Sequence, residues 1–181
     1  MTNTISIPTT KNRLLKPDIM SIFLAWLVAG TLDITYAIIT WGPVFGKITA
    51  AQLLQGIAST VIGKGAFTGG AATALLGLAM HYCISLAWTV LYFLVFPYLP
   101  LLARNKWVSG VLYGVFVWAL MGLVVVPLVT GRAYQFNTVP FMKSIAPMIF
   151  LFGPAIALII NRYYFTVSVN EPKVRLSEGQ S

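Results

Sequence analysis

Apolar residues fall in four continuous runs, separated by polar and turn-forming segments. The first extends from about Ile19 to Trp41, and the second from about Ala71 to Phe96, where Pro97 and Pro100 stop it. The third extends from about Trp107 to Val129 and the fourth from about Phe141 to Phe165. Each has the roughly 20 residues that an α-helix needs to cross about 30 Å of hydrocarbon. They are too long and too continuous for barrel strands of roughly 10 residues. Trp41, Tyr98, Trp107, Tyr134, Tyr163 and Tyr164 stand near the run ends, where aromatic rings prefer the membrane interface.

The segment from Gly42 to Gly70 carries a different pattern. Thr49 followed three residues later by Gln52 matches a capping box. Beyond it Leu53, Leu54, Ile57 and Val61 recur at helical spacing, with Gln52, Gln55 and Ser59 on another face. The pattern predicts a helix over 50–62 ending near Gly63, roughly 20 Å long at 1.5 Å per residue. That is too short to span, so the helix is expected to be interfacial or re-entrant, on the outer side. The predicted fold class is an all-α membrane protein, a four-transmembrane-helix bundle with this short helix between the first two spans. Polar tails of residues 1–18 and 166–181 flank it.

Composition agrees. Of 181 residues, 58% are hydrophobic and 9% charged, against about 25% charged in soluble domains. The formal charge of +8 does not indicate nucleic acid, because the basic residues sit at run ends and in the tails rather than on one face. The first run is too long for a signal-peptide core, contains Asp33 and lacks an Ala-x-Ala ending, so an uncleaved helix is expected. With the N-terminus inside, the inner segments hold Lys11, Arg13, Lys16, Arg104, Lys106, Arg162, Lys173 and Arg175. The outer ones hold Lys47, Lys64, Arg132 and Lys143. This bias predicts both termini in the cytoplasm. The lone Cys83 and lone His81 cannot form a disulfide or a metal cluster, so no metal or cofactor is expected. Gly63-Lys64-Gly65 fails as a phosphate loop, since Ala58 stands where the first glycine is required.

Candidate chemistry centres on two residues. Asp33 is the only acidic residue between Asp18 and Glu171, and His81 is the only histidine of the chain. Ionisable side chains inside membrane spans are costly and usually face a protein interior or a water-filled cavity. Counting from the span centres, both lie about three residues towards the outer face, roughly 4–5 Å from the midplane. A carboxylate–imidazole pair is therefore geometrically allowed, as a proton relay or substrate-binding dyad. The competing reading is a buried polar contact that fixes helix register. Ser85, one turn from His81, and Gln55 on the short helix are further binding or relay candidates.

Packing signals are also present. Thr73, Gly77, His81 and Ser85 are four residues apart, continued by Trp88, and should face the bundle interior. Gly110, Gly114 and Gly122 mark a packing face on the third span. Pro147, Gly153 and Pro154 predict a bend in the fourth near residues 150–154.

Gly30 with Asp33, Leu54-Gln55-Gly56-Ile57-Ala58-Ser59, Gly69-Gly70, Gly77 with His81, Tyr113-Gly114 and Val126-Pro127-Leu128 together resemble a family of small bacterial inner-membrane proteins. That family has four predicted spans and no assigned activity. The resemblance implies a bacterial cytoplasmic-membrane location and brings no catalytic residue, cofactor or substrate. The functional expectation is a small carrier, channel-like or proton-coupled membrane component with an Asp/His interior. The alternative is a non-catalytic scaffold or accessory subunit packing through glycine-rich faces. Expected partners are the lipid bilayer and either a second copy or another membrane protein, not nucleic acid.

The charge bias yields a topology test. With Cys83 replaced by Ser, cysteines introduced at Lys64 and Arg132 should react with an impermeant thiol reagent added outside, and one at Arg104 should not. The opposite labelling pattern would reverse the assigned sidedness.

Overall fold

The structure, a computed structural model, describes residues 19–96, 105–131 and 136–170, with side chains described as far as 162. Residues 1–18 and 171–181 lie outside the described residues, as do Pro97, Tyr98, Pro100, Arg104, Arg132 and Tyr134. The described residues are almost wholly helical. The elements are α1 (Ile19–Trp41), α2 (Ala50–Ile62), a 3₁₀ turn (Gly63–Thr68) and α3 (Gly70–Val95). They continue with α4 (Lys106–Thr130) and α5 (138–170), whose final segment is Gly153–Asn170. Four are long and apolar enough to cross a membrane: α1, α3, α4 and, in α5, Thr138–Arg162. The all-α four-helix membrane bundle is thus the architecture of the chain. α5 continues to Asn170, past Phe165 where its apolar run ends.

Consecutive spans run antiparallel. The side where α1 begins is called proximal below, and the side where it ends, distal. Helix ends are fixed by local polar chemistry. Thr49 accepts from the Gln52 amide at 3.1 Å while the Gln52 side chain accepts from the Thr49 amide at 2.9 Å, the predicted capping box. The Asn105 side chain accepts from the amides of Trp107 and Val108 at the start of α4. Asn137 accepts from Val139 at the start of α5. Gly131 closes α4 in the left-handed region at φ 66°, a conformation that glycine adopts without penalty.

In lipid, apolar burial does not drive helices together; close backbone approach and hydrogen bonds do. The closest approach joins α4 to α5. A Cβ on Gly110 would lie 2.6 Å from Pro154 Cα, one on Gly114 2.0 Å from Met148 O, and one on Gly153 2.0 Å from Gly110 O. Gly77 does the same for α3 against α2, where a Cβ would lie 1.9 Å from Leu54 O. Gly77, Gly110 and Gly114 are packing glycines as expected. Gly122 is not: a Cβ there would meet only the Trp118 ring at 3.9 Å. It sits eight residues beyond Gly114, where α4 has changed its winding.

That change is a π-helical turn at Met121–Val125, matched in α5 by a second at Met148–Phe152. Val126 N–H donates to Met121 O and Gly153 N–H to Met148 O, each five residues back. Both turns end two residues before a proline, Pro127 and Pro154. Proline lacks the amide donor and its ring crowds the carbonyl four residues back. A widened turn relieves both effects. The irregularity expected near 150–154 is therefore a π turn over 148–152, and α4 carries an unanticipated counterpart.

The core fills the proximal half, with Ala29, Tyr92, Val117, Ile156 and Ile160 at 1% exposure or less. Tyr92 lies 2.5 Å from Ser109 Oγ, and Tyr113 donates to Trp88 O at 2.5 Å. Both buried hydroxyls are thereby satisfied. Phe23, Leu27, Leu76, Phe116 and Phe150 are exposed on the periphery, as lipid-facing side chains should be. α2 packs beside the distal third of α3, meeting it at Gly70, Thr73 and Gly77 with Ala58 fully buried. It sits alongside the start of a span rather than apart from it.

Gly114→Leu should cost at least about 1–3 kcal/mol, the usual penalty of overpacking, read as a lower thermal midpoint in detergent and in lipid. Gly122→Ala should leave the midpoint unchanged. Equal behaviour of the two variants would refute the close α4–α5 contact.

Candidate functional site

The proximal half holds the core, with a groove of about 310 Å³ between α3 and α4 lined by Tyr92, Phe96 and Tyr113; the larger opening is distal. From mid-depth to the distal ends, α1, α2, α3, α4 and α5 line a half-open chamber of about 890 Å³. α1 contributes Asp33, Ile34, Ala37 and Trp41, and α3 contributes Met80, His81, Ile84, Ser85 and Trp88. α2 supplies Gln52, Gly56 and Thr60 along one face, spaced four residues apart. Both π turns supply walls: Met121 and Val125 from α4, Met148 and Phe152 from α5. Widened turns often mark functional sites. Here they bring two bulky residues per turn to the floor and side of one cavity.

Asp33, His81 and Ser85 all line this chamber, so three of the four sequence-derived candidates are brought together. Their bonding differs from a simple dyad. The His81 ring nitrogen Nε2 lies 2.9 Å from Gly30 O. A carbonyl only accepts, so Nε2–H donates and Nδ1 is left as the acceptor of the neutral ring. The ring reaches α1 at Gly30, one turn short of Asp33, because a glycine leaves its backbone uncovered. Asp33 and His81 are electrostatic neighbours, yet no ion pair or hydrogen bond joins them among the described residues. Asp33 makes no hydrogen bond to any described residue.

Ser85 is the clearest anomaly. It is 3% exposed, and its hydroxyl is the one buried side-chain polar atom without a hydrogen-bond partner among the described residues. It sits where α1 crosses α3, since a Cβ on Gly30 would lie 2.9 Å from Ser85 Oγ. An unsatisfied buried hydroxyl costs about 1–3 kcal/mol. Buried groups left in that condition call for an explanation such as a ligand.

Gln55 is placed elsewhere. Its side-chain amide donates to Gly70 O at 2.9 Å and to Thr73 Oγ1 at 3.4 Å. It is a latch between α2 and the start of α3, on the face opposite the chamber. The polar residues of α2 that do line the cavity are Gln52 and Thr60. Sequence reasoning grouped Gln52 with Gln55 and Ser59. The stripe that matters is Gln52, Gly56 and Thr60, legible as an i, i+4, i+8 series. Trp41, Phe67 and Trp88 add aromatic surface. At the distal rim the Lys143 ammonium stands 5.1 Å from the Trp41 ring centroid and 3.4 Å from Thr40 O. Among the described residues no group of three His, Cys, Asp or Glu side chains is arranged to hold a metal ion.

Latch and chamber should respond differently to truncation. Gln55→Ala should destabilise the fold by about 0.5–1.5 kcal/mol, because it removes the hydrogen bonds by which a buried side chain ties α2 to α3. Ser85→Ala should be neutral or slightly stabilising, since it removes an unsatisfied hydroxyl. Chemical or thermal denaturation in a mild detergent checks both, and a large loss in Ser85→Ala would show that the hydroxyl has a structural partner after all.

Comparison with known protein families, characterised proteins and solved structures finds no match, so the functional reading of this multi-pass membrane bundle rests on the chamber itself.

Proposed function

We propose that the protein is a small proton-coupled carrier or channel-like component of the bacterial cytoplasmic membrane, with Asp33 as its exchange site. The observation that carries this reading is Asp33 itself: a carboxyl group inside the membrane-spanning part, lining an 890 Å³ chamber and hydrogen-bonded to nothing described. A carboxylate in an apolar medium is costly to keep ionised unless something neutralises it. A proton or a ligand cation can do so, and the two exclude each other. That exclusion is the elementary requirement of coupling. His81 stands beside Asp33 with a free Nδ1 and can accept a proton in its turn.

With the termini in the cytoplasm, as the Lys/Arg bias favours, the chamber faces outward. The buried core around Ala29, Ile156 and Ile160 then lies on the inner side. The resemblance carried by Gly30, Asp33, Gly77 and His81 supports the bacterial membrane setting.

The rival reading is a scaffold that recruits a partner through its glycine faces. The packing contacts weigh against it. Gly77, Gly110, Gly114 and Gly153 are spent on contacts within the chain and are not offered to a neighbour.

Infrared difference spectroscopy of the protein in lipid tests the proposal. Between about pH 4 and pH 9, a carboxyl C=O band should appear on acidification and be absent from Asp33→Asn. A spectrum without an Asp33-dependent band across that range would remove the proton-exchange reading.

A further inference from the structure

The chamber's chemistry narrows what it binds. We propose that its ligand is a lipophilic organic cation: one positive charge carried on a bulky apolar or aromatic body. This rests on the exchange role of Asp33 above and adds the substrate class to it.

Charge comes first. Asp33 is the only carboxylate of the described residues, and no Lys or Arg lines the chamber. An anionic ligand would meet uncompensated repulsion there. A cation gains a partner in a water-poor setting, where such attraction is much stronger than in bulk water. The unsatisfied Ser85 hydroxyl is a second, independent observation in the same wall: it is buried against Gly30 where α1 crosses α3, and its lone pairs favour positive charge nearby.

Shape and surface come next. The volume falls within the roughly 300–1,000 Å³ typical of small-molecule sites. Ile34, Leu53, Ile57, Ile84, Val117 and Met148 represent its predominantly apolar wall. An inorganic ion is a poor occupant, because hard cations require about six oxygen ligands, and the wall offers one carboxylate and a few neutral oxygens. An uncharged hydrocarbon is also a poor occupant, because it would leave Asp33 and Ser85 unanswered. The rings of Trp41, Phe67 and Trp88 suit a diffuse cation, which is drawn to aromatic faces. Lys143 already holds its ammonium over Trp41 at the rim.

Binding must then compete with protonation. The titratable or charged groups on the elements around Asp33 are His81 on α3 and Lys143 at the rim from α5; α2 and α4 present none to the chamber. Where Asp33 is mostly protonated, affinity for a permanent cation should fall by about tenfold per pH unit as pH drops, and binding should release up to one proton per ligand.

The probe is tetraphenylphosphonium, which carries its charge at every pH. Its binding to the full-length purified protein is measured by equilibrium dialysis in detergent and in lipid vesicles, against uncharged triphenylphosphine oxide. The expected result is saturable phosphonium binding that weakens on acidification and releases protons in weak buffer. The phosphine oxide should show neither effect. Asp33→Asn should abolish the pH dependence and most of the affinity. Gly56→Trp supplies a second variant: a Cβ at Gly56 meets nothing within 4 Å and points into the chamber wall. The new ring should fill the cavity without disturbing the fold and reduce binding at least about tenfold. Phosphonium binding indifferent to pH, Asp33→Asn and Gly56→Trp would place any site elsewhere and overturn the inference. An Asp33 infrared band that titrates normally, with no phosphonium bound, would overturn the ligand class alone and leave the proton-exchange reading standing.

Discussion

Everything distal to mid-membrane depends on how closely α4 and α5 approach. The contact is backbone on backbone: Gly110 against Gly153 and Pro154, and Gly114 against the Met148 carbonyl. In hydrocarbon no burial of greasy surface drives this association, so the helices must touch where side chains are absent. The contact lies at the proximal and middle levels of the bundle. The α5 π turn lies within this contact, between Met148 and Gly153, and the α4 π turn lies just distal to it; both supply walls of the chamber.

The prolines make those turns an outcome of covalent chemistry. Pro127 and Pro154 each withdraw a donor and crowd a carbonyl, and each helix answers with a five-residue turn just before it. Two defects that would each merely deform an isolated helix acquire a joint effect when paired across the glycine contact. They rotate Met121, Val125, Met148 and Phe152 onto one cavity wall. α2 adds a further wall, held by the Gln55 latch and by the close approach at Gly77.

Polar groups in the chamber divide by whether the fold uses them. His81 is partly used, since its Nε2–H is committed to Gly30 O. Gln52 is partly used, as half of the capping box. Asp33 and Ser85 are unused by the fold. A stability-driven core would not retain a hydroxyl without a partner or a carboxyl without a bond. Their presence in one wall is the physical basis for reading the space as a binding site rather than a packing fault.

The four spans, the capped helix over 50–62 and the inward stripe from Thr73 to Trp88 were legible in the chain alone. Each follows from local rules: continuous hydrophobicity, the Thr49–Gln52 spacing, and four-residue recurrence on one helix face. That Asp33 and His81 would turn into the protein interior was legible too, because ionisable residues in hydrocarbon are rare and costly. Their relationship was not. Equal depth suggested a pair, yet His81 bonds to Gly30, because which atoms meet depends on how α1 and α3 rotate and cross. The same limit explains Gln55, a latch rather than a lining residue, and Gly122, whose place in the pattern was cancelled by a π turn set by a proline five residues further on. Local sequence determined which segments enter the membrane and where their polar groups lie. Only the tertiary structure decided which of those groups share a cavity, because that depends on helix rotation and on breaks in helical phase that no single segment specifies.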